Sequence, residues 1–147
     1  MADLGRIMAL DIGEVRIGVA VSDPMRVIAS PHSVVKEPSR AAAIAALKRL
    51  VAQLEPVLIV AGIPLDAQGG EGPQARKTRT FIELLRAEVS VEIVTQDERF
   101  STVEATRNLI AADMRREKRR GVVDKVAATH ILQGYLDRTA AMRRTTE

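Results

Sequence analysis

Residues 6–12 read Arg-Ile-Met-Ala-Leu-Asp-Ile, and this run limits the fold more than any other part of the chain. In an extended strand Ile7, Ala9 and Asp11 share one face, and Met8, Leu10 and Ile12 the other. Asp11 apart, both faces are apolar, so the strand has to be covered on two sides. A sheet with helices on both faces does that. The chain has 147 residues, which supports a single domain over 1–147 with a core of its own.

The remaining elements follow from pattern and punctuation. Gly13-Glu14 turns the chain and Val15 to Ser22 is β-branched, so the pair predicts a hairpin ended by Asp23-Pro24. His32 to Lys36 is a short third strand after Pro31. Ser39 is a helix N-cap, with Ile44, Leu47, Val51 and Leu54 at helical spacing and Pro56 as the stop. Val57 to Ala61 is a buried strand, Gly62 to Gly72 a loop, and Pro73 starts a second helix. Val89 to Thr95 is the fifth strand. Ser101 with Glu104 forms a capping box for a helix to about Ala112. A basic window follows, broken by Gly121, and a last helix covers about Asp124 to Ala140. The expected architecture is α/β: a five-stranded mixed sheet, three strands in a meander and then parallel βα units, with helices on both faces.

Composition excludes several kinds of chemistry. The chain has no cysteine and two histidines, which rules out thiolate metal sites, disulfides, a cysteine nucleophile and a histidine-rich metal site. The longest apolar run, Val57 to Ile63, is too short to span a bilayer, and no secretory leader precedes the first strand. A cytoplasmic protein is expected. The formal charge is +3, and the window from Asp113 to Lys125 alone holds six basic and three acidic residues. Nucleic-acid binding is compatible with that balance, and so is an ordinary solvated loop.

Three acidic positions converge on one edge of such a sheet. Asp11 ends an otherwise apolar strand, where an isolated carboxylate is costly to desolvate. The plainer alternative is a turn residue bonded to the backbone of Gly13. Asp97 and Glu98 follow the last parallel strand, at the edge where ligands gather. Either of them paired with Arg99 would be an ordinary surface turn. Asp124 opens the last helix, where a carboxylate caps the first turn. Yet Asp124, Ala128, Ile131 and Tyr135 are spaced four, three and four residues apart, which sets Asp124 on the apolar, inward stripe. Hard oxygen ligands without cysteine suit Mg²⁺ or Mn²⁺. Paired ions about 4 Å apart serve phosphodiester hydrolysis, for which no side-chain nucleophile is needed.

These motifs have a family likeness. Ala9-Leu10-Asp11-Ile12-Gly13 with Arg16 to Asp23, Gly62-Ile63-Pro64-Leu65 with Glu71 to Ala75, Asp97-Glu98-Arg99 with Ser101 to Ala105, and Asp124 to Ala128 with Ile131 to Leu136 resemble the YqgF/RuvX family of RNase H-like nucleases. The resemblance runs in order from about Ala9 to Asp137. It implies an RNase H-like fold and a metal-dependent nuclease. The family's usual assignment is 5′-end maturation of pre-16S rRNA, and resolution of Holliday junctions is its alternative. Carried over by position, the catalytic and metal-binding acids are Asp11, Glu98 and Asp124, with Asp97 the rival to Glu98. Junction resolvases of this fold carry an acid at the end of the fourth strand, where this chain has Gly62-Ile63-Pro64. The cluster then takes its middle acid from the fifth strand.

Arg16, Arg76, Lys77 and Arg99 fall near the same edge, and Arg119, Arg120 and Lys125 lie in the basic window. All seven are candidates to position a phosphate backbone. With Phe81, Phe100 and Tyr135 as the aromatics, a base-stacking platform is not expected. The implied partner is a structured RNA or branched DNA, with the protein a monomer or homodimer. Two rivals stand beside this reading. An actin-like ATP-binding module needs two such domains and has no lysine-bearing phosphate loop to support it here. A non-catalytic nucleic-acid-binding module of the same fold has no need of the three acids.

Overall fold

The computed structural model describes the backbone over residues 4–98 and 116–146, and the side chains within the second stretch over 126–142. Five strands form one sheet: β1 (Ile7–Ile12), β2 (Arg16–Ser22), β3 (Ala29–Lys36), β4 (Leu58–Ile63) and β5 (Glu92–Asp97). Their order is β3-β2-β1-β4-β5, so β1 lies at the centre. β2 and β3 run antiparallel as the expected meander, while β1–β4 and β4–β5 are parallel. Helices α1 (Arg40–Leu54) and α2 (Pro73–Arg86) supply the two crossovers, and α3 (Arg116–Thr146) follows β5.

Two apolar layers sandwich the sheet, as β1 requires. Met8, Leu10 and Ile12 pack with Ile59, Ala61, Ile63 and Ile93 against Leu47 of α1 and Phe81, Ile82 and Leu85 of α2. Ile7 and Ala9 pack with Ala20 and Val60 against Ala127, Ala128, Ile131 and Leu132 of α3. Every residue of β1 is buried, Asp11 included. The caps act where the sequence places them. The Ser39 hydroxyl accepts from the Ala42 amide, and Glu55, in the left-handed region at φ 51°, donates its N–H to Val51 before Pro56.

Four boundaries differ from expectation. β3 begins at Ala29 rather than His32, because an edge strand tolerates Pro31 at the bulge where the β2–β3 register shifts beyond Val19. β4 runs on through Gly62 and Ile63, which were expected in the loop. β5 starts at Glu92 because Glu88 and Val89 still donate to the Leu85 carbonyl at the end of α2, and it extends to Asp97. Finally, Gly121 breaks nothing: α3 is continuous from Arg116, so that part of the basic window is helical. A single glycine lowers helix propensity by about 1 kcal/mol, which tertiary packing overrides. The helix expected over 101–112 lies outside the described residues. Among the described residues no helix is long and apolar enough to cross a membrane.

Candidate functional site

Asp11 is 5% exposed and belongs, with Ile7 and Ala9, to the face covered by α3. It pairs across β2 with Gly18. On the other side the β1–β4 register ends at Leu10↔Ala61, so Asp11 and Gly62 each follow the last paired residue of their strands. The plainer reading makes Asp11 a partner of the Gly13 amide. That N–H donates to the Arg16 carbonyl at 2.9 Å, so the hairpin closes itself. A Cβ on Gly13 would lie 2.7 Å from the same carbonyl oxygen, which explains the glycine at this turn.

The extension of β5 separates the two rival acids. Gln96 pairs with Gly62 and Asp97 with Ile63. Ile63 packs in the α1–α2 layer, so strand alternation directs Asp97 to that face. Glu98 goes the other way. A Cβ built on Gly62 would lie 2.7 Å from Glu98 Oε1 and 2.5 Å from Ile131 Cδ1 of α3. The Glu98 carboxylate therefore covers the end of β4 on the α3 face, in the space that Gly62 leaves by having no side chain. Glu98 thus reaches from the fifth strand over the end of the fourth.

Asp124 lies more than two turns inside α3, not in its first turn, which removes the helix-capping explanation for an acid there. Its position shares the stripe of Ala127, Ala128 and Ile131, all buried against the sheet. Its side chain is outside the described set. Among the described residues no three His, Asp or Glu side chains stand together as a metal-sized group. Asp11 and Glu98 provide two carboxylates on one face. Gln96, which the sequence did not single out, is buried on that face as well, and its Oε1 has no hydrogen-bond partner among the described residues. Two carboxylates and an orphaned amide oxygen are hard donors, a set that fits Mg²⁺ or Mn²⁺.

The model of the RuvX family, described as Holliday junction resolvase, matches residues 5–138. The chain belongs to this family. Among curated relatives of this RuvX chain, a Moorella thermoacetica protein is 47% identical over 133 residues, covering 90% of this chain and 95% of its own. A Clostridium botulinum protein is 43% identical over 132 residues, covering 90% and 96%. Both carry the name "Putative pre-16S rRNA nuclease". Among solved structures, Thermus thermophilus RuvC in complex with a Holliday junction substrate aligns with a TM-score of 0.58 at 11% identity, over 92% of this chain and 96% of that one. The fowlpox virus Holliday junction resolvase aligns at 0.54 and 13%, over 90% and 98%. The fold is thus the RNase H-like fold of those resolvases.

The basic residues of this RuvX chain divide between the two faces. Arg16, two residues from Gly18 on the same side of β2, lies on the Asp11 face at the outer end of the strand. Lys77 lies on α2 and bonds Glu14 at 2.9 Å, and this contact holds the Glu14 carboxyl below its ordinary range. Both line a cavity of about 390 Å³ floored by Ile12, Ile17, Val35 and Phe81, away from Asp11. Arg76 is exposed on α2. The common edge expected for Arg16, Arg76 and Lys77 exists, but not a common face. Arg119, Arg120 and Lys125 have their backbone in α3 with side chains outside the described set, and Arg99 lies outside it altogether.

Proposed function

We propose that this protein is a divalent-metal-dependent nuclease that hydrolyses phosphodiester bonds, acting in 5′-end maturation of pre-16S rRNA. What supports the reading is that Asp11, by strand alternation, and Glu98, by its reach over Gly62, both fall on the α3 face of the sheet at the C-terminal ends of its strands. Asp11, Glu98 and Asp124 would hold the cations, with Asp97 facing elsewhere. When bound, Mg²⁺ or Mn²⁺ supplies the positive charge that activates the attacking water and neutralises the leaving oxygen. The chain's own contribution is placement. β1 fixes Asp11 rigidly, Gly62 admits Glu98, and Arg16 stands at the same end of the sheet to take a backbone phosphate.

The names of the curated relatives favour ribosomal RNA as substrate. The likeness to a RuvC bound to a Holliday junction supports branched DNA as the second reading. Precursor 16S RNA and a four-way DNA junction, assayed side by side with Mg²⁺ and Mn²⁺ in turn, separate the two. Asp11→Asn is expected to lower metal-dependent cleavage ~100-fold or more while leaving nucleic-acid affinity within a few-fold. Wild-type protein that binds but never cuts with either metal would leave a non-catalytic binding module.

A further inference from the structure

We infer that the side-chain carbonyl of Gln96 is an oxygen donor to the cation held by Asp11 and Glu98, an inference that rests on the metal-centre reading above. Gln96 is 7% exposed, and its Nε2 donates to the Ile131 carbonyl of α3 at 3.0 Å. A carbonyl only accepts, so this bond fixes which end of the amide faces the helix. A Cβ on Gly134 would lie 3.0 Å from the same nitrogen, so the absence of a side chain there lets α3 press against the amide. The nitrogen is anchored, and Oε1 is the atom left over.

That oxygen is buried with no donor among the described residues. A buried acceptor in this state is unfavourable, and folded proteins keep one where something else completes it. Its surroundings indicate what. Gln96 stands in the cross-strand row of Gly62, the position covered by the Glu98 carboxylate and touched by Ile131. Asp11 follows Leu10, the last β1 residue paired with β4, and lies on the same face of the sheet as Gln96. A neutral amide oxygen on the same face of the sheet as two carboxylates suits a hard divalent cation, since it adds a ligand without adding to the repulsion between the acids. The arrangement ties the site to α3: the residue that anchors the helix through its nitrogen completes the ion through its oxygen.

The test is Mn²⁺ binding, followed by electron paramagnetic resonance of the free ion, for wild type and Gln96→Met at equal folded concentration. The methionine keeps the volume and removes the oxygen together with the nitrogen that bonds Ile131, so the melting temperature of the variant is measured beside its binding to separate a loosened α3 from a lost ligand. Binding about tenfold weaker in the variant supports the inference. Equal binding overturns it, leaving Gln96 as a helix anchor whose oxygen meets an ordinary water. A wild type that binds no Mn²⁺ overturns the metal centre itself. A second measurement needs no variant. On Mg²⁺ titration of isotope-labelled wild type, the Gln96 side-chain amide signals should shift with the same midpoint as the backbone amide of Glu98. Gln96 signals that stay still while those of Glu98 move would overturn the assignment to Gln96 alone.

Discussion

Gly62 shows how one absent side chain shapes the site. Its neighbours Ile131 Cδ1 and Glu98 Oε1 both occupy the volume a Cβ would take. Gly62→Ala has to displace the helix or the carboxylate, and both moves are adverse. Overpacking of this kind costs roughly 1–3 kcal/mol, and cleavage should fall further than stability because Glu98 is the softer of the two. Thermal melts beside metal-dependent rates check this, and an unaffected rate would mean that Glu98 does no work at that position. Asp23 bears on stability through its hydrogen bonds. Its carboxylate accepts from the amides of Ile28, Val27 and Met25, which hold its pKa below the ordinary value. A depressed folded-state pKa stabilises above the unfolded value and is lost as pH falls through the folded one. Asp23→Asn should therefore flatten the loss of melting temperature below about pH 4, by a small amount because the group faces solvent.

At the scale of elements, α3 has the most to say about what a sequence discloses. Its stripe of Ala128, Ile131 and Tyr135 is plain at helical spacing, and so is the inward placement of position 124. Its start is not. Gly121 amid charges looks like a break, yet the helix runs through it from Arg116. Gly121→Ala is accordingly expected to increase stability by up to about 1 kcal/mol, read as melting temperature and helical circular dichroism, where a true loop glycine would give no gain. Of the candidate site, buried Asp11 was legible because an acid at the end of a doubly apolar strand breaks its own pattern. The choice between Asp97 and Glu98 was not, since it depends on where β5 ends. The strand continues two residues past Thr95, and parity then separates the two acids. Gln96 was hidden for the same reason. The alternation Val94, Gln96, Glu98 marks one face, but only a partner carbonyl on α3 makes the glutamine meaningful.

Across the whole molecule, the sheet keeps two unlike ends of its faces apart. One holds buried Asp11 and half-buried Glu98 with Arg16, and the other holds the Lys77–Glu14 pair beside a cavity with an apolar floor. A polyanion drawn to the acid face has to overcome two carboxylates, so cations there matter more than the modest net charge of the chain. This gives Arg16 and Lys77 different expected effects although both were candidates for phosphate contact. Each phosphate neutralised by a side chain adds about 0.7 to the salt slope of binding for a single strand and about 0.9 for a duplex. Arg16→Ala should reduce the slope of log affinity against log salt by close to one such step. Lys77→Ala should leave it nearly unchanged, because Glu14 already balances that ammonium on the opposite face. Fluorescence anisotropy with a labelled RNA in Ca²⁺, between roughly 50 and 200 mM salt, measures both. Equal slopes for Arg16→Ala and wild type, with a drop for Lys77→Ala, would move the nucleic-acid path to the cavity side of the sheet and away from Asp11.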